Sequence, residues 1–264
     1  MGKVIVITSG KGGVGKTTTS ANIGAGLAQL NKNVLLIDAD IGLRNLDVIV
    51  GMEDRIVYDL TDVIEGNCRL SEAIIKDSRL QNLSLLPAAQ TKDKTSVTPE
   101  QMEKLCAELK ESYDYVIIDC PAGIEQGFKN AIAGADMAIV VAVPEVSAVR
   151  DADRIKGLLE QAGIKEPKLI LNRVRPEMVK SGDMLSLEDI KEILCIESIG
   201  VIPDEASVII ASNKGIPVIN SENSLAAAAY KNIVKRIEGE DVPLLDLNKK
   251  QKVGLIARIK RMFE

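Results

Sequence analysis

Met1-Gly-Lys-Val-Ile-Val-Ile-Thr-Ser-Gly-Lys-Gly-Gly-Val-Gly-Lys-Thr-Thr-Thr19 decides the fold. Val4, Ile5, Val6 and Ile7 are β-branched and uninterrupted by polar residues, the pattern of a strand covered on both faces in a parallel sheet. Gly10 to Thr17 then fits G-x-x-x-x-G-K-[ST] at every fixed position, with extra glycines at 12 and 13. Glycine lets the backbone turn with positive φ and brings its N–H groups close to phosphate oxygens. The helix that follows offers unpaired N–H groups at its positive end. Lys16 can reach the β- and γ-phosphates, and the Thr17 hydroxyl can ligate Mg²⁺. The stretch is a phosphate cradle.

Outward from it, apolar runs alternate with helical patterns to the end of the chain. Val34–Ile37, Leu83–Leu86, Tyr115–Ile118, Ile139–Val143, Leu169–Leu171 and a run ending at Gly200–Ile202 read as strands. Helices are expected over Thr17–Leu30, Asp59–Glu65, Ser71–Ile75, Thr98–Ser112, Glu145–Gln161 and Ser221–Ile237. The fold class is therefore α/β, a P-loop NTPase with a mostly parallel twisted sheet and helices on both faces. Two strands deliver acids at their carboxyl ends, where ligands bind in such sheets: Asp38 and Asp40 after the second, Asp119 after the fourth. Asp119 follows four strand residues as a Walker B carboxylate does.

Of the 264 residues 46% are hydrophobic, but with two Phe, four Tyr and no Trp the core is aliphatic and stacking platforms for single-stranded nucleic acid are not expected. The absence of histidine, with Cys68, Cys106, Cys120 and Cys195 far apart, excludes zinc and His-based catalysis as ordinary readings; the thiols are expected buried and reduced. No secretory or transit segment and no membrane span is expected.

Lys11-Gly-Gly-Val-Gly-Lys-Thr-Thr18 resembles the signature of the deviant Walker A ATPases, and the resemblance extends to a switch I at 38–47 and a switch II at 119–123. It implies ATP hydrolysis with Mg²⁺ in a nucleotide-sandwich homodimer, where Lys11 crosses to the partner's nucleotide. Gly10, Lys11, Gly12, Gly13, Val14, Gly15, Lys16, Thr17 and Thr18 would hold the phosphates. Lys11, Lys16 and Asp40 would be catalytic, Asp40 by positioning or deprotonating the attacking water. Thr17, Asp38 and Asp119 would serve the metal, while Asn172 and Pro203 would flank the base. From the residues alone the base stays open, since only Asn213-Lys214-Gly215 comes near a guanine motif.

Gly239–Asn248 is an acidic linker containing Pro243, and beyond it the composition changes. Residues 249–264 hold six basic residues and one acid, so a net charge of −5 for the chain leaves −10 on the rest. Projected as a helix, Leu255, Ile256, Ile259, Met262 and Phe263 fall in an arc of about 120° with Arg258, Lys260 and Arg261 outside it. That is the pattern of a membrane-surface helix; a nucleic-acid tail, a docking helix on its own core and a helix for a protein groove compete with it. The expected organisation is an ATPase domain at 1–238, a linker at 239–248 and an amphipathic targeting helix at 249–264.

With the tail included, the resemblance narrows to the septum-site branch of the family. That implies a cytoplasmic or plastid-stromal protein, peripheral on the inner membrane face, that recruits a MinC-like division inhibitor and is released by a MinE-like activator of hydrolysis. Arg44, Asn45 and Asp151 are the expected partner contacts. Two alternatives are weighed. A DNA-partitioning ATPase of the same superfamily is opposed by the acidic body. An ATP-dependent iron–sulfur reductase component would need cysteines on two loops near the switches, and only Cys120 is so placed.

Overall fold

The structure, a computed structural model, describes residues 1–92 and 96–247. In chain order its elements are β1 (Lys3–Thr8), α1 (Lys16–Gln29), β2 (Val34–Asp38), α2 (Leu46–Val50), α3 (Leu60–Glu65), α4 (Leu70–Ala73), β3 (Ile75–Lys76), β4 (Leu83–Leu86), α5 (Pro99–Leu109), β5 (Tyr115–Asp119), α6 (Gln126–Ile132), β6 (Met137–Ala142), α7 (Val146–Gln161), β7 (Lys168–Val174), α8 (Pro176–Ser181), α9 (Leu187–Leu194), β8 (Glu197–Pro203), α10 (Ala206–Ser212) and α11 (Leu225–Ile237). Among the described residues the strands form one sheet in the order β3-β4-β2-β5-β1-β6-β7-β8, parallel except for the short β3.

Alternation along each buried strand divides the core in two. Val4, Val6, Val116 and Ile118 face the side covered by α5, α6, α7 and α9. Ile5, Ile7 and Ile117 face the side covered by α1, α2, α10 and α11. Both faces are aliphatic, as an all-parallel interior with period-two side chains requires. Among the described residues buried aromatics interrupt this pattern at Phe128 of α6 on the first face and at Tyr230 of α11 on the second; Tyr230 is fully buried, its hydroxyl 3.2 Å from Thr19 Oγ1.

The expected elements form, with local corrections. Ile75, expected to end a helix, instead opens β3 and pairs with Leu85 of β4, so α4 stops at Ala73. The last helix starts at Leu225 rather than Ser221 because the Ser224 side chain accepts from Ala227 N (3.0 Å) and caps it there. Leu30, expected as the last residue of the first helix, is its C-cap instead and is 42% exposed. Of the thiols, Cys106 and Cys120 are buried as expected, whereas Cys195 is exposed at the left-handed C-cap of α9.

The described part of the acidic linker is laid on the body. Arg236 donates from Nε to Val242 O (2.9 Å) and from Nη1 to Ile199 O (2.8 Å), tying this segment to edge strand β8. Leu245 packs against one core and Leu247 against the other, so the segment wraps around the edge of the sheet. The amphipathic helix expected at 249–264 lies outside the described residues. No helix among the described residues is long and apolar enough to cross a membrane.

Candidate nucleotide site

Parallel strands bring their carboxyl ends to one rim, and the sequence motifs gather there. The loop between β1 and α1 sits at the centre, flanked by β5 and β6. Gly13 and Gly15 adopt φ of 75° and 97°, in the left-handed region. Gly10 is required for another reason, since a Cβ there would lie 2.5 Å from Asp151 Cβ on α7. Lys16 is buried at the start of α1, while Lys11 stays 47% exposed along its side chain. Its Nζ donates to Ser147 Oγ (3.2 Å) and lies 3.6 Å from Glu145, both at the N-terminal end of α7.

Asp38 and Asp119 end adjacent strands and are partners in the β2–β5 register. Both are buried. Burial, and the nearby Asp119 charge, push the Asp38 carboxyl well above the usual carboxylate range. Burial likewise raises Asp119, against the opposing pull of hydroxyls from Thr17 and Ser20 and of the Lys16 charge. Ser20 Oγ lies 2.8 Å from Asp119 Oδ1. This serine was not anticipated, although its place one turn after Lys16 on α1 could have flagged it.

Asp38, expected to serve the metal, also organises the segment that follows. Oδ1 accepts from Asp40 N (2.9 Å), and Oδ2 from Asn45 N and Leu46 N (both 3.1 Å). It thus caps α2 from a neighbouring strand and shapes the loop that carries Asp40. Within that loop Arg44 takes φ of 38°, and its Nε lies 2.8 Å from the buried Asp47. Arg44, expected as a partner contact, is therefore turned inward and 17% exposed, whereas Asn45 is exposed and Asp151 half-buried.

The other wall of the site comes from β7 and β8. A cavity of about 830 Å³ runs from the loop, past Val143–Val146 and Asn172, to Pro203–Glu205 and to Met178 and Met184 near α8. Arg175 and Asp204 pair across its edge (2.5 Å). The loop residues, Asn172 and Pro203 converge as expected; Cys120 is buried beside Asp119, and burial pushes its thiol up to about 12.

The arrangement suits a metal nucleotide. Two buried carboxylates at neighbouring strand ends, each disfavoured as an anion by burial, would be stabilised by a hard cation beside them. Among the described residues no three of His, Cys, Asp and Glu gather as a cage, so phosphate, water and the Thr17 hydroxyl must complete any shell.

A parallel sheet with this loop and these strand-end acids defines a P-loop ATPase, and residues 2–165 match the family model described as an AAA domain. The chain is 57% identical to the septum site-determining protein MinD of Bacillus subtilis (strain 168), over all of this chain and 98% of that one. It superposes on the MinC:MinD cell division protein complex of Aquifex aeolicus with a TM-score of 0.87 and 51% identity, covering 92% of this chain and 99% of that chain. The septum site-determining protein MinD complexed with Mg-ADP from Pyrococcus horikoshii OT3 matches at TM-score 0.82 and 30% identity, over 90% and 96% of the two chains. The chain belongs to the MinD family of septum site-determining ATPases.

Proposed function

We propose that this chain is an ATP-driven dimerisation switch that positions the division site by carrying an inhibitor to the membrane and leaving it on hydrolysis. The observation that carries the reading is the division of labour between two lysines of one loop. Lys16 is buried against the cradle, beside the Asp119 carboxylate, while the Lys11 side chain is half exposed against the start of α7 and available to a second copy. The exposed Lys11–Glu145 pair stabilises by at most about 1 kcal/mol, so a phosphate chain on a partner can take the lysine from it.

The residues divide the chemistry. Backbone N–H groups of Gly12–Thr18 and the Lys16 ammonium hold the β- and γ-phosphates. Thr17 and Asp119, with Asp38 behind them, would hold Mg²⁺, which when bound neutralises charge on the phosphate oxygens. Asp40, half-buried on the loop that Asp38 organises, orients or deprotonates the attacking water. Lys11 from the partner stabilises charge that develops in the transition state. Asn172 and Pro203 flank adenine.

The Mg-ADP complex of the Pyrococcus relative supports the choice of nucleotide and metal, and the Aquifex complex with MinC supports a MinC-like partner. A MinE-like activator rests on kinship alone. Asn45 and Asp151 offer it accessible atoms, and Asp151 leans on Gly10 of the loop. Residues 249–264 serve as the membrane contact and 239–248 as their connection to the 1–238 domain. Each cation at an anionic surface contributes roughly 1 kcal/mol, so one tail binds reversibly and two on a dimer bind at high effective concentration.

The test is sedimentation with anionic liposomes in ATP or ADP, using the full chain and one ending at Asn248. ATP-dependent pelleting that truncation abolishes is the expected result. Pelleting indifferent to nucleotide would break the link between loop and tail.

A further inference from the structure

We propose that Asn172 is a positioning residue of the phosphate loop, beyond any contact it makes with the base. Strand β7 slips register against β8 between Leu171 and Val174, and Arg173 adopts φ of 56°. This bulge carries the Asn172 side chain to the loop, where it is buried with 7% exposure. Its Nδ2 donates to Val14 O at 2.8 Å, across 158 positions of sequence, and its Oδ1 accepts from Arg173 N at 2.9 Å. Both ends of the amide are fixed, and its orientation with them.

The consequence follows from peptide geometry. The Val14–Gly15 unit is planar and trans, so its C=O and N–H point in opposite directions. Holding the Val14 carbonyl on Asn172 aims the Gly15 N–H away from Asn172, into the turn that faces the phosphate chain. Gly15 fits because a Cβ there would collide with Asn172 Nδ2. Asn172 therefore sets the direction of a donor in the cradle, and the base wall and phosphate wall share one side chain.

The inference rests on the proposed nucleotide reading, and a ligand without a base separates the two. Calorimetric titrations of the full chain with Mg²⁺-tripolyphosphate and with Mg²⁺-ATP would compare the parent with Asn172→Ala and Asn172→Leu, the second conserving much of the side-chain volume. Both variants should bind tripolyphosphate about tenfold more weakly, the scale of one lost buried hydrogen bond. Their binding stoichiometry should stay at that of the parent, since misfolding removes sites rather than weakening them. Unchanged tripolyphosphate affinity alongside weakened ATP binding would confine Asn172 to the base and overturn the inference. A parent that bound neither ligand would overturn the nucleotide reading and this inference with it.

Discussion

The two walls of the cavity are built by different means. The phosphate wall is local: strand, glycine turn and helix N-terminus follow one another within Lys3–Gln29, and the acids it faces end the next strand positions, β5 and β2. The wall proposed for the base is assembled by tertiary register. Asn172 reaches it through a bulge, Arg173 holds a left-handed backbone, and Arg175 pairs with Asp204 at the solvent edge. Charge is buried on the first wall and exposed on the second, so the first should fail sharply on substitution and the second gradually.

The sharpest failure is expected at Lys16. Lys16→Ala should weaken ATP binding by at least two orders of magnitude in calorimetric titration, because a buried cation is withdrawn from the phosphates. Asp40→Ala should instead keep ATP affinity within a few-fold of the parent while single-turnover hydrolysis drops by about 10²–10⁴. Equal loss of affinity in the two variants would erase the distinction between cradle and water-handling loop.

A pH experiment probes the buried charge directly. Asp38 and Asp119 bind protons more tightly in the folded chain than their ordinary value near 3.8, so the native state holds more protons than the unfolded one from there up toward neutrality. Stability of the nucleotide-free protein should fall as pH rises through that window and recover on acidification. Melting temperatures between pH 5.5 and 7.5 should follow this slope by a few degrees. Asp38→Asn should flatten it, and Mg²⁺ with ADP should reduce it by supplying the missing positive charge. The smallest effect belongs to the base wall's rim. Arg175→Ala removes an exposed pair worth about 1 kcal/mol or less, so the ATP dissociation constant should move by no more than about fivefold.

The same contrast decides what could be read in advance. The cradle, the strand-end acids and the central strands themselves were legible because each is carried by a run of neighbours with a fixed physical meaning; the order of those strands in the sheet was not. Helices α2, α6, α8, α9 and α10 were not read. Each spans eight residues or fewer, which leaves little amphipathic pattern to read, although the equally short α3 and α4 were anticipated. Asp38 as a cap for α2, Ser147 under Lys11 and Asn172 on Val14 escaped as well. Their partners lie eight, 136 and 158 positions away, and only the folded sheet brings them together. Arg44, expected by resemblance as a partner contact, has a left-handed backbone and is paired with buried Asp47, which the sequence did not signal.

The polarity of the sheet has a practical use. With seven strands parallel among the described residues, their amino ends share one rim and the phosphate loop occupies the other. Met1 is fully exposed on the first rim, and the chain is moored just behind it by Gly2 N donating to Lys110 O (2.9 Å). A fluorescent protein fused at Met1 should therefore report on the chain in a living cell from the far side of its nucleotide rim, leaving that rim uncovered.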